Sequence, residues 1–280
     1  MFFHNINPVL LEIGPFQIRY YGLFYALGFI IAYFMISYLA KRKNLPITKD
    51  DIADFIIYQI VGVVAGARII YVLFYNRTFY LQNPLEIFAL WQGGLSFHGG
   101  LIGAIAAAYL FCKTRKNQRF LVPRKSTIFV EKKLEFYDLA DIVVIPVALA
   151  LAFGRIGNFI NGELYGRITD ISWCIDYSKN KFIEAVPKGC RHPSQLYESF
   201  KNLVIFGILW SIKDKKLPKG FMFWGFVALY GLFRTIVEFF RAPDEQIGFI
   251  FNYFTMGQLL SFPLFLIGLY MLFRLNKKNN

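Results

Sequence analysis

Long apolar runs alternate with short polar connectors along this chain, and the runs are longer than the elements of a water-soluble core require. Tyr20 to Ala40 carries no charged residue, and a helix rising 1.5 Å per residue needs about 20 such residues to cross a hydrocarbon layer of ~30 Å. Comparable runs predict further spans at 52–75, 95–112, 138–156, 196–212, 220–240 and 256–273. The pattern therefore predicts an all-α polytopic membrane protein of about seven transmembrane helices, with residues 1–280 forming a single domain. Asp138, Asp141, Glu198 and Lys201 fall near the ends of the fourth and fifth spans. The leading MFFHNINPVLLEIGPFQIR has no basic opening segment and is interrupted by Pro15, so Tyr20 to Ala40 reads as a retained first span. Gly62 and Gly66, and likewise Gly99 and Gly103, put small residues one turn apart, where helices can approach closely.

Composition supports lipid as the solvent. Apolar residues make up 56% of the chain, and 32 Phe stand against 18 acidic residues, which is too much Phe and too little charge for a soluble domain. The net charge of +13 follows the connectors. Lys41, Arg42, Lys43 and Lys49 form one cluster; Lys113, Arg115, Lys116, Arg119, Arg124, Lys125, Lys132 and Lys133 a second; Lys213, Lys215, Lys216 and Lys219 a third; Arg274, Lys277 and Lys278 a fourth. With seven spans all four lie on one side, which the positive-inside rule makes the cytoplasm, leaving the N-terminus outside and the C-terminus cytoplasmic. The same distribution reads as contact with anionic membrane lipid rather than with nucleic acid.

Gly154 to Gly166, GRIGNFINGELYG, sets Arg155, Asn158, Asn161 and Glu163 directly after an apolar stretch. Polar groups at a membrane boundary need one another or a bound polar ligand, because water no longer satisfies them. The four glycines of this run suit turns and close backbone approach. The segment 155–195 is expected to form a small outward-facing (periplasmic) head between spans four and five. Arg68, Arg234 and Arg241 lie in or at the outward ends of spans, accompanied by Glu198 and Glu238. Arg234 and Glu238 are four apart on one helical face and can pair. The arginines outnumber the glutamates of this set, and a guanidinium in a partly dry site is matched by the oxygens of a phosphate.

Among the three histidines, His98 stands in GGLSFHGGLIG and His192 in RHPSQLYE. Each fits either a satisfied structural histidine or a functional one. No Cys and His pair has ligand spacing, so neither a metal nor another cofactor is expected. Cys112 reads as a reduced structural thiol, while Cys174 and Cys190 share one outward segment, where a bridge is one option. A secondary transporter would carry an internal repeat, and a phosphoryl transferase a metal-binding acidic motif; neither pattern is present.

The motifs YYGLFYALGF, GARIIYVLFY, WQGGLSFHGGLIG, FGRIGNFINGELYGR, RHPSQLYE, YGLFRTIVEFFRAPDEQIG and MGQLLS follow one another from near residue 20 to near residue 261. In this order the chain resembles the bacterial prolipoprotein diacylglyceryl transferases. The resemblance implies an inner-membrane enzyme that moves the diacylglyceryl group of phosphatidylglycerol to the thiol of a lipobox cysteine in a preprolipoprotein. A thioether forms and glycerol phosphate is released, so the implied partners are phosphatidylglycerol and the signal peptide carrying the lipobox.

The resemblance also implies site residues. Tyr21 matches an essential tyrosine, His98 the histidine of FHGG, and Arg155, Asn158, Asn161, Glu163 and Gly166 a signature block. Tyr230, Arg234, Glu238 and Arg241 match a late cluster, and Asp141 an acidic residue before the signature. The residue chemistry agrees. A thiol of pKa about 8.5 needs a base or a positive field to react at neutral pH. The departing phosphate ester needs cations, a role expected of Arg155 and Arg234 with Arg68 nearby. Asn158, Asn161 and Glu163 are suited to orient the arginines and the lipid head group, and the proton falls to His98 or Tyr21.

Overall fold

The computed structural model describes residues 1–14, 16–90, 93–115, 120–124, 128–183, 186–243, 249–250 and 253–279. Lys116, Arg119 and Lys125 of the second basic cluster, and Asp244 to Gly248 of the late motif, lie outside the described residues. Eight α-helices are described: α1 Tyr20–Arg42, α2 Lys49–Phe74, α3 Arg77–Gln82, α4 Phe97–Arg115, α5 Phe136–Asn161, α6 Ser194–Ile212, α7 Phe221–Val237 and α8 Met256–Asn279. Setting aside the short α3, these coincide with the seven expected spans. Four of them, α1, α2, α5 and α8, are long and apolar enough to cross a membrane by length and composition alone. Large apolar side chains on their outer faces, among them Ile30, Phe34, Ile57, Val61, Leu266 and Ile267, are exposed. In water each such side chain would forgo ~1.5–3 kcal/mol of burial, so these faces belong against lipid. The chain is a multi-pass, mostly helical membrane protein.

Short two-stranded ladders supplement the helices, which the apolar pattern did not predict. Val9–Ile13 pairs antiparallel with Phe16–Arg19, and Phe2–Phe3 runs parallel to Ile175–Asp176. Two further antiparallel pairs join Phe120–Arg124 to Ile128–Lys132 and Phe249–Ile250 to Phe254–Thr255. The chain forms two compact units, Met1–Ala32 with Asp141–Asn280, and Tyr33–Ala140.

In the second unit α2 and α4 pack face to face through the glycines noted in the sequence. A Cβ on Gly66 would sit 2.4 Å from the Gly99 carbonyl oxygen, and one on Gly103 would sit 2.0 Å from that of Gly62. No side chain fits, so the two small-residue pairs are partners of each other. Thr48 and Asp51 form a reciprocal capping box at the start of α2. Asp51 also accepts an ion pair from Arg115 Nη1 at 2.6 Å, which ties the last turn of α4 to the first of α2.

In the first unit α7 and α8 approach closely at Gly231, where a Cβ would lie 2.5 Å from the Phe265 nitrogen. Asp141 caps the start of α7, its carboxylate accepting from the Gly220 and Phe223 amides at 2.7 and 2.9 Å. Helix α6 is inverted relative to a soluble helix. Ser194, Gln195, Glu198, Ser199, Lys201 and Asn202 are buried, whereas Phe200 and Leu203 are exposed. In lipid that orientation is the stable one, because polar side chains find partners only inside the protein.

The residues between α5 and α6 form a head tied by the Cys174–Cys190 disulfide. The N-terminus is stitched onto it. Phe2 N donates to Cys174 O at 3.0 Å, and the Met1 amine donates to Ser172 O. His4 is fully buried, its Nε2 donating to Phe159 O at 2.7 Å and its Nδ1 accepting from Asn180 Nδ2 at 2.6 Å. That pairing requires neutral imidazole, and burial holds the His4 pKa below 6.5 against the opposing pull of the Phe159 carbonyl. The folded state then binds fewer protons than the released strand. The stabilisation is complete above pH 6.5 and is lost as pH falls through the lowered value. Hydrogen-exchange protection of residues 1–5 is expected to drop between pH 7.5 and pH 5; equal protection factors would contradict this.

A buried charge cluster where α5, α6 and α7 converge

Glu198 is the centre of the site. It projects from the first turns of α6, with its side chain 3% exposed. Arg234 Nη1 of α7 donates to its Oε1 at 2.5 Å, while Lys201 Nζ and Arg155 Nε lie 3.2 and 3.5 Å from its Oε2. Arg234 Nη2 also pairs with Glu238 Oε2 at 2.8 Å, as their spacing of four predicted. Glu238 in turn accepts from Thr255 Oγ1 at 3.1 Å. Gly257, in the MGQLLS motif, leaves the room this carboxylate occupies, since a Cβ there would lie 2.4 Å from Glu238 Oε1.

The signature block at the end of α5 supplies the second layer of polar contacts. Arg155 Nη1 donates to Asn158 Oδ1 at 3.3 Å, and the Asn158 and Asn161 amides donate to Glu163 Oε1 at 2.8 and 3.2 Å. Tyr230 and Arg155 share a hydrogen bond, and Tyr21 bonds both Asn158 and the Tyr25 hydroxyl, the latter at 3.0 Å. Gly162 and Leu164 take positive φ of 68° and 57°, which turns the chain out of α5 and back toward α6. There Gln195 Nε2 donates to Glu163 O at 2.7 Å and Ser194 Oγ to Leu164 O at 2.9 Å.

Gly166 fits between two backbone segments. Its amide donates to His192 O at 3.0 Å, and a Cβ would meet His192 O at 2.5 Å and Phe240 O at 2.6 Å. An antiparallel bridge joins it to Arg241. The head is thus clamped directly onto the end of α7, beside Arg234 and Glu238. The disulfide closes a separation of 16 residues in this head, a loop size for which chain entropy gives about 3 kcal/mol. Converting Cys174 and Cys190 to Ser is expected to lower the melting temperature and leave turnover per folded molecule unchanged. Loss of turnover at full folding would place a thiol in the chemistry.

Of the residues expected from sequence, Tyr21, Arg155, Asn158, Asn161, Glu163, Tyr230, Arg234 and Glu238 join one hydrogen-bonded and ion-paired network, and Gly166 and Arg241 form its clamp. Arg68 and His98 belong to the second unit. Arg68 donates to the carbonyls of Glu86, Ile87, Ala89, Gly93 and Gly94 and lies over the Tyr80 ring. It therefore braces the loop that leads to His98 at the start of α4. Glu198, named in the sequence only as an acidic companion, and Lys201 are the central residues that sequence reasoning left out of the site. Their spacing of three, on one face of α6, was the available signal.

Apolar helices closing around a buried cluster of paired cations and carboxylates define a polytopic membrane protein with a polar centre. Residues 8–274 match the family model for prolipoprotein diacylglyceryl transferase. The phosphatidylglycerol–prolipoprotein diacylglyceryl transferase of Geobacter sulfurreducens is 47% identical over 272 residues, 97% of this chain and 96% of that protein. Those of Rickettsia bellii and Rickettsia rickettsii are each 42% identical over 282 residues, covering 98% and 99% of this chain and 97% and 100% of theirs. The chain belongs to the prolipoprotein diacylglyceryl transferase family.

Proposed function

We propose that this protein transfers the diacylglyceryl group of phosphatidylglycerol to the thiol of a lipobox cysteine in a preprolipoprotein, forming a thioether and releasing glycerol phosphate. The observation that carries the chemistry is the unequal engagement of the two arginines around Glu198. Arg234 is held at both ends by short contacts to Glu198 and Glu238, whereas Arg155, besides its hydrogen bond with Tyr230, reaches Glu198 and Asn158 at the longer distances of 3.5 and 3.3 Å. A guanidinium so loosely held has donors to give to a phosphate, and Arg234 supplies a fixed charge beside it.

As the cysteine sulfur bonds to the terminal glyceryl carbon, the carbon–oxygen bond to phosphate breaks and its electron pair leaves with the phosphate ester. Charge grows on the phosphate oxygens, where preorganised donors are worth about 2.7–4 kcal/mol each. Asn158, Asn161, Glu163 and Tyr230 orient Arg155, Glu238 orients Arg234, and Gly166 and Arg241 hold the head in register. His98 is the proposed acceptor of the thiol proton; the Tyr21 hydroxyl, itself protonated at neutral pH, can relay a proton but not keep it. Replacing the lipobox cysteine of a peptide substrate by Ser should abolish product formation with purified protein; an equal yield from the Ser peptide would refute the reaction.

The site is proposed to face the outside of the bacterial inner membrane, with phosphatidylglycerol and the signal peptide entering from the lipid. The pairing of Phe2–Phe3 with Ile175–Asp176 supports this, because it puts the N-terminus and the head on one side of the membrane. The basic residues at and beyond the ends of α1, α4 and α6 and in the last turns of α8 support reading the other side as cytoplasm and fit anionic lipid rather than nucleic acid. A reporter active only outside the cytoplasm should work when fused after Gly166 and fail after Lys125. Equal signals would invert or break the topology.

A further inference from the structure

We propose that Lys201 is a positioning residue for Arg155, on the reading that the cluster receives the phosphate of an anionic lipid. Lys201 lies one turn after Glu198 on α6, its side chain 3% exposed. Its ammonium sits 3.2 Å from Glu198 Oε2 and 3.9 Å from the centre of the Tyr230 ring. An ammonium at this depth is costly unless it is paired, and an aliphatic side chain would fill the same space without that cost.

What the charge does follows from the geometry around one oxygen. Arg234 occupies Glu198 Oε1, so Lys201 and Arg155 share Oε2, with Lys201 the nearer. Lys201 thereby competes, through its ion pair, for the oxygen on which Arg155 would otherwise close, and Arg155 stays open toward the Asn158 side. The same ammonium sets the charge balance. Arg155, Lys201 and Arg234 face Glu198 and Glu238, three cations to two carboxylates, while Glu163 reaches Arg155 only through the Asn158 amide. Without Lys201 the two arginines and two glutamates cancel, and an arriving phosphate meets no surplus positive charge. The contact with the Tyr230 ring adds a second route, since Tyr230 also bonds Arg155.

The test measures kcat and KM separately for phosphatidylglycerol and for a lipobox peptide, using the full chain in detergent or vesicles. Lys201→Met is expected to raise KM for phosphatidylglycerol at least tenfold and leave the peptide KM within about twofold. Lys201→Arg is expected to stay within about threefold of wild type for both. In the Glu198→Gln background, Lys201→Met should add less than threefold, because no carboxylate remains to contest. If Lys201→Met is not recovered folded, Lys201→Gln carries the same expectation, and if neither folds, Lys201→Arg decides by its lipid KM. A folded neutral variant with wild-type lipid KM would overturn the proposal, as would equal lipid-KM defects in Lys201→Arg and Lys201→Met. A purely structural role would change the folded fraction or both KM values together. Absence of transfer by the wild-type protein would instead sink the reaction assignment, so the two failures are distinguishable.

Discussion

Arg234→Lys is expected to lower kcat by about 10²–10³-fold, the range for removing one preorganised donor from a developing anion. Arg234 uses two ends of its guanidinium at once, Nη1 on Glu198 and Nη2 on Glu238. A lysine ammonium is a point charge on a flexible stem and cannot bridge both carboxylates. The charge would persist, but Glu198 and Glu238 would lose the guanidinium that bridges them, and the fixed charge beside the phosphate would lose its position. Single-turnover kinetics at saturating lipid separates this from weakened binding. A folded Arg234→Lys enzyme within threefold of wild-type kcat would contradict the assignment.

Glu198→Ala is expected to damage the fold severely. Three cations converge on this carboxylate inside the helical bundle, and removing one partner of a buried charge pair costs about 3–5 kcal/mol. Against a total stability of about 5–15 kcal/mol, that is a large fraction. The yield of folded protein and its melting temperature in detergent should both fall sharply. Glu198→Gln retains the shape and one acceptor oxygen, so it should fold better while losing most turnover. If Glu198→Ala melted with the wild-type protein, the cluster would not be the packing centre described.

Much of the fold was legible because lipid enforces a simple rule: backbone groups must pair within each span, so apolar runs of sufficient length become helices. The signature block was legible for the complementary reason, since Arg155, Asn158, Asn161 and Glu163 stand where isolated polar groups are unfavourable. Helix α6 was harder to read. Its buried face is polar and its lipid face apolar, so Glu198 and Lys201 read as charges weakening a span when they are the inside of one. Arg68 was misleading in another way. Its partners are backbone carbonyls 18 to 26 residues further along, and no side-chain pattern advertises carbonyls. The short ladder between Phe2–Phe3 and Ile175–Asp176 joins segments too distant in sequence for local periodicity to reveal. Cys174 and Cys190 left pairing open, since two thiols in one segment are compatible with either state; the structure bridges them. Gly62 and Gly66 announced close packing but not that Gly99 and Gly103 were the counterpart.

Phosphatidylglycerol and a lipobox thiol should be converted at the cluster around Glu198 into a thioether and glycerol phosphate. Mass spectrometry of the peptide, run alongside quantitation of free glycerol phosphate from purified protein in phosphatidylglycerol vesicles, tests this conversion most directly. One glycerol phosphate should be released per diacylglyceryl group added, with both products reduced at least a hundredfold by Arg234→Lys. Modified peptide without glycerol phosphate, or unchanged product from a folded Arg234→Lys protein, would contradict it.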